Sequence, residues 1–151
     1  MNKTIALSAL LLLAPFTQAA EPLTKGPDGT KMVVFSGGCF WCTESDFDKV
    51  EGVVETISGY TGGAAETADY EQVSSGRTGH IESVAVFYDP SKTDYSKLVE
   101  IFWPTIDPVT ANAQFCDHGP QYRSAVYYAN DEQKEVLELS LIHISEPTRL
   151  R

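Results

Sequence analysis

The chain has 151 residues, 42% of them hydrophobic, which suits one domain with a single core. Its formal net charge is −10 at pH 7, with 11 basic against 21 acidic residues. No basic cluster offsets that balance, which argues against nucleic acid and anionic membrane surfaces as partners.

The first 20 residues read as a secretory signal peptide rather than as part of the domain. Lys3 supplies a positive start, Ile5 to Phe16 an apolar stretch, and Thr17-Gln18-Ala19-Ala20 a small-residue cleavage site. The apolar stretch is short for a membrane span. Export to a bacterial periplasm is therefore expected. Residues 21–31 mix Pro, Gly and charge without periodicity and read as a lead-in.

Met32 to Phe35 is an apolar run that predicts a strand. Gly37-Gly38-Cys39-Phe40-Trp41-Cys42 follows, then an amphipathic stretch with apolar residues at 40, 41, 47 and 50. This predicts strand, tight turn and helix, with Cys39 at the helix start and Gly52 after its end. Unpaired N–H groups and the helix dipole favour an anion at that position. A free thiol has a pKa of roughly 8.5, and a helix N-terminus lowers it. Cys39 is therefore a candidate nucleophile. Cys42, three residues on, lies within reach for a disulfide. A structural disulfide and half of a zinc site are alternative readings of the pair, although no second ligand pair follows at zinc spacing.

Val53 to Tyr60 predicts a strand, and 61–79 a long, polar, Gly-rich loop of the kind that carries function. Ile81, Val84, Val86 and Tyr88 mark another strand, stopped by Asp89-Pro90. Ser91 or Thr93 is a candidate cap for a helix reaching Trp103, with Pro104 and Pro108 ending it. A second irregular stretch, 105–123, leads to a strand over Ser124 to Ala129, and Asn130 or Asp131 opens a last helix. The order β-α-β-β-α-β-α matches the split β-α-β pattern of a ferredoxin-like α+β sandwich. In such a fold the segments 36–44, 61–80 and 105–123 are expected to meet on one rim.

Four blocks resemble those of the A-type peptide methionine sulfoxide reductases. They are Gly38-Cys39-Phe40-Trp41, Ser58-Gly59-Tyr60-Thr61-Gly62-Gly63, Thr78-Gly79-His80-Ile81-Glu82 and Asp117-His118-Gly119-Pro120-Gln121-Tyr122-Arg123-Ser124. The resemblance runs from about Met32 to Ser140. It implies that Cys39 attacks the sulfoxide sulfur and that Glu82 protonates the departing oxygen. Such an acid needs a raised pKa to be protonated near neutrality. Read alone, Glu82 is more simply a solvated residue on an outer strand face. The resemblance makes Tyr70 and Tyr122 hydrogen-bond donors to the sulfoxide oxygen and Asp117 a carboxylate that helps hold the site. Phe40 and Trp41 would wall the pocket for the substrate methyl. His80 reads as structural, and Arg123 as pairing with a local carboxylate.

Attack would leave a sulfenic acid on Cys39, which condenses with a neighbouring thiol. Cys42 is the first candidate for that resolving thiol and Cys116 the second. The commoner family pattern instead puts resolving cysteines near the C-terminus. No metal or bound organic cofactor is implied. Electrons would come from a thioredoxin-like protein or a dithiol, substrates would be oxidised proteins and peptides, and the chain is expected to be a monomer. The preference for the S epimer comes from the resemblance. Two other functions fit the Cys39/Cys42 motif: thiol–disulfide exchange, and an exported binding domain with a structural disulfide. Neither uses Glu82, Tyr70 or Tyr122.

The domain is expected to span 32–140. From Leu141 the string Leu-Ile-His-Ile-Ser-Glu-Pro-Thr-Arg-Leu-Arg breaks the preceding helical pattern and resembles translated sequencing-adapter DNA. The family continues past its last helix, so the natural C-terminus is expected to be missing.

Overall fold

A computed structural model describes residue 23 and residues 25–145, with side chains through Leu141. The signal segment over residues 1–20 lies outside the described residues. From Lys25 the chain makes a turn closed by Thr30 N–H on the Pro27 carbonyl, 3.2 Å. Gly26 lies flat on the Phe87 ring, where a Cβ would come within 2.0 Å.

Strand β1 covers Lys31–Ser36, helix α1 Phe40–Phe47, and strand β2 Val53–Thr61. Helix α2 covers Tyr70–Ser74, strand β3 Ile81–Tyr88, and helix α3 Tyr95–Phe102. The short strands β4, Ala113–Gln114, and β5, Asp117–His118, form a hairpin; β6 is Ala125–Val126 and α4 is Asp131–Ser145. The four-stranded sheet has the order β2-β3-β1-β6, each neighbouring pair antiparallel. With β6 as the fourth strand, this is the ferredoxin-like arrangement expected from the element order.

Helices cover one face. Val33 and Phe35 of β1 and Val84, Val86 and Tyr88 of β3 pack with Phe47 of α1, with Leu98, Val99 and Phe102 of α3, and with Leu137 of α4. At its centre Phe35 stacks on Phe47, ring centroids 4.6 Å apart, and lies 4.8 Å from Phe102.

The departures from expectation are local. Helix α1 stops at Phe47 instead of Val50 because the chain turns there, with Val50 N–H on the Phe47 carbonyl. Asp94 caps α3, not Ser91 or Thr93: its carboxylate accepts the Lys97 N–H at 2.9 Å. The stretch 61–79 contains α2, and 105–123 contains the β4–β5 hairpin. The last strand is two residues long, although Tyr127 N–H still reaches the Val34 carbonyl at 3.2 Å. Asn130 opens α4, accepting the Gln133 N–H on its side chain. That helix runs past Leu141 to Ser145, so the expected break does not fall at Leu141.

Candidate active site

Gly38 makes the turn into α1. Its φ of +88° suits glycine, and a Cβ there would strike the Gln114 side chain at 2.4 Å. Gln114 is buried and fixed by Asp107 N–H on its Oε1, 2.8 Å, and by its own Nε2 donating to the Ser124 hydroxyl. The 105–123 segment thus presses directly against the loop that delivers Cys39.

Cys39 holds the N-cap position of α1, its carbonyl accepting from Cys42 N–H at 3.1 Å and Thr43 N–H at 3.2 Å. Cys39 is half-buried and Cys42 exposed, and both are free thiols. The hydrogen bond to Cys39, then slight burial and the negative charges of Cys39, Asp117 and Asp46, raise the Cys42 thiol above its ordinary pKa.

Glu82 does not lie on a solvated face: it is 2% exposed. It shares its side of β3 with Val84, Val86 and Tyr88, whose rings and methyls form the core. Its Oε2 accepts the Phe40 N–H at 3.0 Å, the first amide of α1 and the residue after Cys39. Burial raises the Glu82 pKa, the Phe40 N–H opposes that rise, and the nearby Asp117 charge adds to it. The Cys39 thiol and a carboxyl inclined to hold its proton therefore meet at one helix start.

An aromatic layer surrounds this pair. Phe40 is buried, with its ring 5.2 Å from Trp41, 5.7 Å from Tyr60 and 6.2 Å from Tyr70. Trp41 and Tyr70 stack at 5.5 Å and 24° and are both about half exposed, so they form the rim. Tyr122 is half-buried; burial first, then the charges of Glu82 and Asp117, raise its phenol. Asp117 is half-buried within electrostatic reach of Cys42, Glu82 and Tyr122. The three polar segments do converge.

Cys116 sits exposed on the hairpin turn, next to Phe115 at a positive φ of 52°. Arg123 takes part in none of the ion pairs found among the described residues, all of which join residues three or four apart in the chain. Among those residues no group of three or more His, Cys, Asp and Glu side chains is placed to hold a metal. Sequence reasoning left Tyr60 out of the site. It pairs across the sheet with Glu82, and burial, then the Glu82 charge, raises its phenol. Its place in the Ser58–Gly63 block was the available signal.

Fold and site define a ferredoxin-like protein with a cysteine at a helix start beside a buried carboxyl. The family model "Peptide methionine sulfoxide reductase" matches residues 31–149, and the chain belongs to that family. It is 45% identical over 121 residues to "Peptide methionine sulfoxide reductase MsrA 1" of Rhodopirellula baltica, covering 80% of this chain and 63% of that one. It is 46% identical over 116 residues to the MsrA of Bacillus subtilis, covering 77% and 66% respectively. The chain thus spans just under two thirds of the length of these relatives. Among solved structures, methionine sulfoxide reductase A of Corynebacterium diphtheriae superposes with a TM-score of 0.70 at 32% identity, covering 82% of this chain and 63% of that one. The reduced form of Mxr1 from Saccharomyces cerevisiae gives 0.72 at 28% identity, covering 82% and 72%.

Proposed function

We propose that this chain reduces the S epimer of methionine sulfoxide, in peptides, proteins and the free amino acid, to methionine. One observation carries the reading: Cys39 begins α1, and the next N–H is bonded to the buried Glu82. The Cys39 thiolate attacks the electrophilic sulfoxide sulfur. Protonated Glu82 gives its proton to the oxygen, which passes to Cys39 as a sulfenic acid while methionine leaves. Tyr122 and Tyr70 donate hydrogen bonds to that oxygen as charge develops on it, and Asp117 helps hold the site. Phe40 and Trp41 receive the substrate methyl.

Cys42 then attacks the sulfenic sulfur, forming a Cys39–Cys42 disulfide and releasing water. The foremost cause of its raised pKa is Cys39 itself. Cys116 is the second candidate, exposed on its turn. A thioredoxin-like donor or a dithiol returns two electrons and restores both thiols. No bound organic cofactor takes part. The chain is read as an exported, periplasmic monomer that repairs oxidised proteins.

Simple disulfide exchange would use the same two cysteines but gives no role to a buried glutamate beside them. The test supplies the purified chain with excess dithiothreitol and each epimer of a methionine-sulfoxide peptide, and follows methionine by chromatography. Turnover of the S epimer alone, lost in Cys39→Ser, is expected. Absence of turnover in a chain that melts cooperatively would reject the reading.

A further inference from the structure

His80 is 4% exposed, and the steps above give it nothing to do. Its Nε2 lies 3.0 Å from the Ala64 carbonyl and 3.2 Å from the Thr67 hydroxyl. A carbonyl only accepts, so Nε2 carries the proton. The Thr67 hydroxyl donates to the same carbonyl at 2.9 Å, leaving its oxygen to face the imidazole N–H as an acceptor. Gly63 lies flat on the ring: a Cβ there would come within 2.4 Å of Nε2. Beneath, the ring meets Tyr60 at 5.8 Å. His80 is therefore wedged between the sheet and the 62–67 turn and bonds to that turn.

The turn leads directly to the substrate rim. Asp69 caps α2, accepting the Gln72 N–H at 3.0 Å, and Tyr70 is the first residue of the helix. Helix α2 has only five residues, far too few to be stable alone. Its position depends on anchors at both ends. Gln121 Nε2 donates to the Ser74 carbonyl at 3.2 Å at the far end, and His80 acts at the near one.

We propose that His80 is a positioning residue for the substrate pocket, clamping the 62–69 turn so that Tyr70 stays stacked on Trp41. The effect on substrate rests on the proposed reductase function; the effect on Tyr70 does not. Trp41 and Trp103 are the two tryptophans, so Trp103→Phe isolates Trp41 as a fluorescent reporter of the stack.

In that background, Thr67→Ala and His80→Leu are expected to raise acrylamide quenching of Trp41 by about half, as α2 drifts off the indole. His80→Gln, whose amide N–H takes the place of Nε2–H, keeps the parent value. With a sulfoxide peptide, His80→Leu lowers kcat/KM about tenfold, because both the pocket wall and the Tyr70 hydrogen bond drift, while His80→Gln restores it. Unchanged quenching in both Thr67→Ala and His80→Leu overturns the proposal, as does a loss of kcat/KM that His80→Gln fails to restore. If His80→Leu does not fold, Thr67→Ala carries both readouts. If the parent turns over no sulfoxide, the reductase reading fails, and the fluorescence still decides the clamp.

Discussion

The two halves of strand β3 are buried alike and built for opposite purposes. From Val84 to Tyr88 it is apolar, and its inward side chains meet Phe35, Leu98 and Phe102. From His80, the residue before the strand, to Ser83 the chain carries three buried polar residues, His80, Glu82 and Ser83. The hydroxyls of Ser83 and Ser36 lie 2.8 Å apart, and that of Thr61 is 2.9 Å from Ser83 on the other side. One half contributes stability by removing apolar surface from water. The other holds a carboxyl where ionisation is costly. Buried polar groups of that kind weaken a core and mark a site where chemistry is done.

That contrast makes stability and activity separable by mutation. The largest effect falls on Cys39→Ser, which removes the soft nucleophile. Sulfoxide turnover should drop by about 10⁵-fold or more with little change in melting temperature. Glu82→Gln comes next, with a loss of about 10²–10⁴-fold in kcat from removal of the proton donor. Its amide oxygen still accepts the Phe40 N–H. Because burial raises the Glu82 pKa, its contribution to stability is fully present below the unfolded pKa and is lost as pH rises through the folded one. The glutamine variant should therefore melt at the same temperature or higher at pH 7. In the parent, kcat should fall as pH rises through the same ionisation.

Phe102→Ala reverses the pattern. Phe102 is fully buried among Phe35, Phe47 and Trp103, and truncation should cost about 3–5 kcal/mol by chemical denaturation. The folded fraction should keep its turnover. Tyr122→Phe is the smallest test. It deletes one donor to the sulfoxide oxygen and should lower kcat about tenfold without moving the melting temperature.

The apolar half of the molecule was legible in the sequence because periodicity reports it. Met32 to Phe35, the alternation from Ile81 to Tyr88, and the helical spacing from Tyr95 onward gave the element order and with it the sheet. Helix α2 and the β4–β5 hairpin were hidden, being too short to show a period and held by residues distant in the chain. Gln121 bonds to the end of α2 and His80 to the turn that leads into it, and neither declares this locally. The cap on α3 went to Asp94 because its carboxylate meets the Lys97 amide. In the site, Cys39 was readable from its two glycines and the helix that follows. The burial of Glu82 was not, since a lone glutamate in a strand has no local signal of the helix start above it.

The central claim is that Cys39 and Cys42 together deliver two electrons to one sulfoxide. The most direct test gives the fully reduced chain, with three free thiols, an excess of methionine (S)-sulfoxide peptide and no external reductant. Methionine is counted by chromatography and residual thiol by a colorimetric reagent. The account predicts one methionine per chain and a fall from three thiols to one, with Cys39 and Cys42 recovered as a disulfide in the peptide map. Unchanged thiols with no methionine released, from a folded chain, would contradict it.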